Sequence, residues 1–159
     1  MNIKITRLKY GEYTVLRRFI YLAIFVPEGG SLPYQEILDT PELRVYLDEF
    51  GKELSDVAVT LRCDGEIVGA AWSRVMDDYG HLYDGVPSLA ISLLPEYRGR
   101  GLGKRLLAGL LEELRSSGFD RVTLAVQKAN YAARKLYTGL GFETVGEKDE
   151  ECLMLKNLT

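Results

Sequence analysis

Residues 98–105 concentrate glycine and positive charge in one short stretch of the chain. Glycines occupy positions 99, 101 and 103, and four of the chain's 20 basic residues lie among or beside them: Arg98, Arg100, Lys104 and Arg105. An apolar run precedes this stretch and a leucine-rich helical pattern follows it, so the glycines mark a strand-to-helix turn. Free backbone N–H groups at a helix start, together with positive side chains, favour an anion, most simply a phosphate.

Two common phosphate-binding loops do not fit this stretch. The dinucleotide fingerprint needs a third glycine at the position of Lys104, and the triphosphate loop needs a glycine at Arg98 and a hydroxyl residue at Arg105. A tight turn with solvated arginines is the alternative interpretation. From this stretch alone, the chemistry of the anion stays open.

A second block of spaced residues follows one strand later. It runs through Asn130, Ala133, Leu136, Tyr137, Gly141 and Phe142. With Arg98-x-x-Gly101-x-Gly103, this block resembles the two motifs of the GNAT family of N-acetyltransferases, in the family's order. The similarity extends over the whole chain, although it is weak before Val57.

The elements that must position these blocks follow from apolar periodicity and from turn residues. Strands are predicted over residues 3–7, 57–62, 66–74, 88–94, 121–126, 142–147 and 152–156, and helices over 13–25, 42–50, 101–116 and 130–140. The Asp64-Gly65 pair predicts a tight hairpin turn. We expect one mixed α/β domain over residues 1–159. The resemblance implies a mostly antiparallel (α+β) sheet of seven strands, about four helices, and a V-shaped cleft after the fourth strand.

The resemblance also implies that acetyl-CoA is the co-substrate, with no metal. The backbone of residues 90–94 would hold pantetheine and the acetyl carbonyl, chiefly through Ile91 and Leu93 with Leu94 beside them. The pyrophosphate would lie on the glycine-rich turn, which comprises Arg98, Gly99, Arg100, Gly101, Leu102, Gly103 and Lys104. For Asn130 we expect a bond to the pantetheine arm, with helix capping as the alternative.

The resemblance implies that Tyr137 is the general acid, whereas without the motif a core aromatic in a helix would be the favoured interpretation. It lies seven residues after Asn130 in the helical pattern, so the two share a face. A phenol with a pKa of ~10 can donate a proton to a departing thiolate. The general base is open, because residues 86–92 contain no carboxylate. The candidates are Glu28, His81, Tyr83 and Asp84, of which His81 has the best intrinsic pKa.

Composition narrows the class of partner. A net charge of −3 and a pI of about 5.3 argue against a nucleic-acid partner. The apolar run at residues 19–26 is too short to cross a bilayer, which needs ~20 residues, so we expect a cytoplasmic protein that does not insert in membranes.

Cys63 and Cys152 are expected to be buried free thiols. The first helix is apolar on two faces, which indicates either a homodimer or burial within one chain.

The sequence therefore predicts an acetyl-CoA-dependent N-acetyltransferase that acts on a primary amine of a small molecule or protein by direct attack in a ternary complex. Two alternatives remain at this point. One is an acyl-CoA-binding sensor or interaction module without turnover, and the other is a binder of a non-acyl nucleotide.

Overall fold

The structure is a computed structural model that describes residues 2–23, 48–75 and 84–159. Its strands are β1 (Ile3–Arg7), β2 (Val57–Cys63), β3 (Glu66–Arg74), β4 (Ser88–Leu93), β5 (Arg121–Gln127), β6 (Glu143–Lys148) and β7 (Glu151–Asn157). The helices in the described ranges are α1 (Leu16–Ala23), α2 (Leu102–Ser116) and α3 (Tyr131–Gly139), with 3-10 turns at Tyr10–Val15 and Pro95–Tyr97. The predicted strands are confirmed. The predicted helix over 42–50 lies mostly outside the described residues, and its last three positions form a turn.

The seven strands form one sheet in the order β1-β2-β3-β4-β5-β7-β6. Neighbouring strands are antiparallel except β4 and β5, which are parallel. At the β2–β3 hairpin, Asp64 and Gly65 have φ values of 51° and 87°. Both values suit the turn that joins antiparallel strands most tightly. The mixed, mostly antiparallel sheet is therefore confirmed.

The β4–β5 junction is the weak line of the sheet. Its register contains a single Cα pair, Ser88 with Thr123, whereas β3 and β4 share six pairs. Because parallel strands in a continuous sheet normally pair along their length, β4 and β5 diverge after Ser88. The cleft expected after the fourth strand opens at this point.

Helices cover both faces of the sheet. On α2, Leu106, Leu107, Leu110 and Leu114 are all fully buried. The Ser92 hydroxyl donates to the Phe19 carbonyl of α1 at 2.7 Å, while Leu93 and Leu106 both approach Gly69. Successive residues of a strand point to opposite faces, so α1 and α2 lie on opposite sides of β4.

Local features of the fold also follow the sequence. Gly118 ends α2 with φ 93°, and the Phe119 N–H donates back to Leu114, which is the expected glycine cap. Cys63 and Cys152 are free and buried, as predicted. Across the described ranges, no helix combines the length and apolarity needed to cross a bilayer.

Candidate acyl-CoA site

Among the described residues, the edge of β4 that faces β5 presents backbone groups that β5 does not pair beyond Ser88. The Leu94 N–H donates to Val68 at 2.9 Å, so the alternation of an antiparallel ladder directs Ser92 and Ala90 toward β3 as well. Ile91 and Leu93 must then direct their N–H and C=O groups toward β5. The two residues expected to hold pantetheine are those that the register leaves open to the cleft.

Unlike Ile91 and Leu93, Leu94 does not leave its backbone groups open to the cleft. Its N–H bonds Val68, and its carbonyl accepts the Tyr97 N–H at 2.9 Å. Both backbone groups therefore have a protein partner, and Leu94 is buried at the end of the strand; its assignment to the cofactor stays a prediction.

Arg98 is hydrogen-bonded to the end of β4. Its Nε donates to the Leu93 carbonyl at 3.1 Å, and its backbone N–H donates to Pro95 at 3.2 Å. The Leu93 carbonyl thus has a partner, and the open groups of the edge are the Ile91 N–H and C=O and the Leu93 N–H. Because the Arg98 N–H already donates to Pro95, the predicted anion-binding N–H groups would begin at Gly99.

The glycine-rich turn exposes the start of α2. Gly99 and Gly101 have φ values of 74° and 76°, and a Cβ at either position would enter open space. Gly101 is the N-cap of α2 and provides no side-chain cap, so the first N–H groups of the helix have no side-chain partner there. These groups, with the helix dipole, can bind a phosphate.

A cleft of about 540 Å3 lies between this turn and α3. Its lining residues are Gly99, Gly101, Lys104, Ala132, Lys135, Leu136 and Gly139. The two sequence blocks therefore meet in space, and they place a lysine on each wall. Lys135 was missed in the sequence analysis. Its spacing could have indicated its place, because positions 132, 135 and 139 lie on one face of the helix.

Gly103 is the point where the strand, the turn and α3 converge. A Cβ at this position would lie 3.6 Å from Leu136 and 3.7 Å from Leu93. The open edge of β4 and the glycine-rich turn are thus adjacent.

Asn130 caps α3. Its Oδ1 accepts the Ala133 N–H at 3.3 Å, which is the interpretation that the sequence analysis ranked second. Within the described residues its Nδ2 bonds to no group, so it stays available as a donor toward a ligand. The two interpretations use different atoms and are compatible.

Tyr137 lies on the core side of α3 and not on the wall of the cleft. It is 8% exposed and packs against Phe142 with ring centroids 5.8 Å apart. Burial raises the pKa of the Tyr137 phenol above its ordinary value. The side chain is therefore a neutral hydroxyl, which can donate a proton.

Of the four candidate bases, only Asp84 can be located. It is exposed in the turn before β4, while Glu28, His81 and Tyr83 lie outside the described residues. In the part of the chain that the structure describes, no three His, Cys, Asp or Glu side chains group as metal ligands would.

The sequence matches one protein-family model. The model describes the Acetyltransferase (GNAT) family, and the match covers residues 25–142. The chain belongs to this family. The resemblance drawn from the two motif blocks is thereby confirmed.

Relatives and solved structures agree with this assignment. A mycothiol acetyltransferase of Thermobifida fusca is 36% identical over 120 residues, which cover 74% of this chain and 36% of that protein. A mycothiol acetyltransferase of Beutenbergia cavernae is 37% identical over 141 residues, or 87% of this chain and 46% of that protein. The chain thus spans less than half the length of these relatives.

The fold of GNAT structures is also confirmed. An acetyltransferase of the GNAT family from Streptococcus pneumoniae superposes with a TM-score of 0.73 at 25% identity, covering 99% of this chain and 100% of its own. The PaiA N-acetyltransferase of Thermoplasma acidophilum, solved with coenzyme A, gives a TM-score of 0.73 at 18% identity and 99% coverage of both chains.

Proposed function

We propose that this chain is an acetyl-CoA-dependent N-acetyltransferase that acts on a primary amine by direct attack in a ternary complex. The observation that carries the proposal is the junction at Gly103. There the end of the open β4 edge lies beside the start of α2, because a Cβ on Gly103 would lie 3.7 Å from Leu93. An extended ligand with phosphates at one end and amides along its length fits this path.

Acetyl-CoA would use the two parts differently. Its pyrophosphate would lie on the N–H groups from Gly99 to Lys104, and its pantetheine amides would pair with Ile91 and Leu93 as an added strand. Lys104 and Lys135 line opposite walls of the neighbouring cleft. We assign Lys135 to the remaining phosphate, the 3′-phosphate of the ribose, because the turn already takes the pyrophosphate.

The reaction forms a C–N bond to the acetyl carbon and breaks its C–S bond. The attacking amine loses a proton, and the departing thiolate gains one. We assign Tyr137 as the donor of that second proton, because its phenol is protonated at neutral pH, and since burial raises its pKa its assistance to the thiolate is modest. His81 and Asp84 remain the proposed recipients of the amine proton, acting directly or through water.

The acceptor is a primary amine whose identity a panel can establish. The name of the relatives makes des-acetyl mycothiol one member of that panel, beside a polyamine, an amino-acid derivative, an aminoglycoside and a peptide amine. The test is thioester consumption with mass-spectrometric detection of the acetylated amine. We expect turnover with at least one amine. Acetyl-CoA binding without turnover on any of them would contradict the proposal and favour a sensor.

A further inference from the structure

Two buried hydroxyls bridge β4 and β5 at the only place in the described register where these strands pair. Ser88 Oγ and Thr123 Oγ1 lie 3.0 Å apart, and the two residues are 0% and 1% exposed. Thr123 also bonds Pro87 twice, through its N–H at 2.9 Å and its Oγ1 at 3.4 Å. This group of contacts lies at the vertex of the cleft.

We propose that Ser88 and Thr123 are positioning residues that set the width of the cleft at its thioester end. The proposal rests on the proposed function, since it concerns how acetyl-CoA is held. A ligand whose phosphates lie on the turn after β4, and whose arm runs back along β4, directs its acyl end toward this vertex.

In the described residues, one register pair and the contacts of Thr123 with Pro87 join β4 to β5 at the vertex. Between most paired strands, successive backbone hydrogen bonds fix the distance between the strands. The loss of one side-chain bond then changes that distance little. Here a single register pair joins β4 to β5, and the strands separate beyond it. The hydroxyl bond therefore adds to the Thr123–Pro87 contacts where no further register pair supports them.

A small displacement at the vertex also matters for chemistry. Any change in the angle between the strands moves the open edge of β4 relative to β5. Reaction rates are sensitive to such movement, because a misplacement of about 1 Å can cost ~10²-fold.

The same sheet contains a matched pair that lacks this role. Thr60 Oγ1 lies 3.1 Å from Thr6 Oγ1 across β1 and β2 and also bonds the Thr6 carbonyl at 3.2 Å. Thr60 is 0% exposed, like the vertex residues. However, β1 and β2 pair at five successive positions, so their spacing does not depend on the hydroxyls.

The experiment compares Thr123→Val, which keeps the shape and removes the hydroxyl, with Thr123→Ser, which keeps the hydroxyl and removes a methyl. Calorimetry gives the Kd of each folded variant for acetyl-CoA and for adenosine 3′,5′-bisphosphate, which lacks the pantetheine arm. We expect Thr123→Val to weaken acetyl-CoA binding by roughly fivefold to tenfold, because the β4 edge that pairs with the pantetheine arm is displaced, with unchanged bisphosphate binding. Thr123→Ser should retain the wild-type affinity even though its melting temperature falls.

Thr60→Val is the control, and it should lower the melting temperature without changing either Kd. Ser88→Ala replaces Thr123→Val if that variant does not fold. The proposal is overturned if folded Thr123→Val or Ser88→Ala binds acetyl-CoA like the wild type. It is also overturned if Thr123→Ser loses as much affinity as Thr123→Val, or if Thr60→Val shows the same loss. A wild-type chain that binds no acetyl-CoA would instead overturn the proposed function, and the vertex role with it.

Discussion

The proposed chemistry depends most on a single hydroxyl, that of Tyr137. Its ring lies in the core against Phe142, and its helix carries Leu136 on the adjacent cleft wall. Because burial disfavours the phenolate, the pKa of Tyr137 is raised and the side chain remains a proton donor.

Replacing Tyr137 with Phe tests the donor directly. We expect Tyr137→Phe to lower kcat roughly tenfold to a hundredfold, because a thiolate needs only modest help to leave. The KM for acetyl-CoA should change little, since the ring and its packing are kept. The measurement is the rate of thioester consumption at saturating substrates. Tyr131→Phe is the control, because Tyr131 lies on the same helix but is 74% exposed. Wild-type kcat in Tyr137→Phe would remove the assignment.

The raised pKa of Tyr137 also predicts the pH profile. The phenol must stay protonated at least up to its ordinary pKa of about 10, so it causes no loss of kcat below that pH. Tyr137→Phe should therefore lower the whole profile without moving its ascending limb, which belongs to deprotonation of the amine. A wild-type descending limb between about pH 8 and pH 10 that disappears in Tyr137→Phe would contradict this account.

Lys135 provides a second test at the residue scale. Lys135→Gln should weaken binding of coenzyme A about threefold to tenfold, because one partly solvated charge contact to the 3′-phosphate is lost. Binding of dephospho-coenzyme A, which lacks that phosphate, should not change. Calorimetric Kd values for both ligands make the comparison, with Lys4→Gln on β1 as the control. An equal loss for both ligands would show that Lys135 contacts another part of the molecule.

Among the elements, the glycine-rich turn restricts the residue types at its positions most strongly. Gly101→Ala places a Cβ on a residue with φ 76°, which costs about 1–2 kcal/mol and displaces the first turn of α2. We expect a lower melting temperature and, in addition, a weaker Kd for acetyl-CoA. Thermal unfolding and calorimetry together measure the two effects.

Gly118→Ala is the matched control for this variant. Gly118 has φ 93° and open space around it, but it lies at the opposite end of α2. It should lose a similar amount of stability and keep the wild-type Kd. If both variants bind acetyl-CoA like the wild type, the turn does not hold the phosphates.

Much of the element order could be predicted from the sequence because its signals are local. Alternating apolar residues mark β1, the Asp64-Gly65 pair marks the β2–β3 turn, and Gly118 marks the end of α2. The start of the first helix was harder to predict from the sequence. A 3-10 turn precedes α1, with the Glu12 N–H bonding Lys9 at 2.9 Å, and side-chain periodicity over one turn does not distinguish it from an α-helix.

The site was harder to predict where it depends on contacts between distant segments. The motif spacing located the turn and Tyr137, but not the bond from Arg98 to Leu93 or the vertex formed by Ser88 and Thr123. Lys135 looked like any lysine on a helix surface until α3 was placed against the turn. These features arise from tertiary packing, which a single sequence does not encode in local patterns.

At the scale of the whole molecule, the sheet consists of two halves joined at one pair of residues. Strands β1 to β4 form one half, strands β5 to β7 form the other, and the described register links them through Ser88 and Thr123. A ligand that pairs with the open edge of β4 would add contacts across this junction. Ligand binding should therefore stabilise the whole domain and not only the turn.

The melting temperature with and without acetyl-CoA tests the central claim most directly. Binding to the native state alone should add about 2.7 kcal/mol at a hundredfold excess over Kd, which corresponds to a rise of about 5–10 °C for a domain of this size. ATP at the same concentration has phosphates but no pantetheine arm, and it should produce a much smaller rise. A chain that ATP stabilises and acetyl-CoA does not would contradict the assignment of the turn and the β4 edge to acyl-CoA.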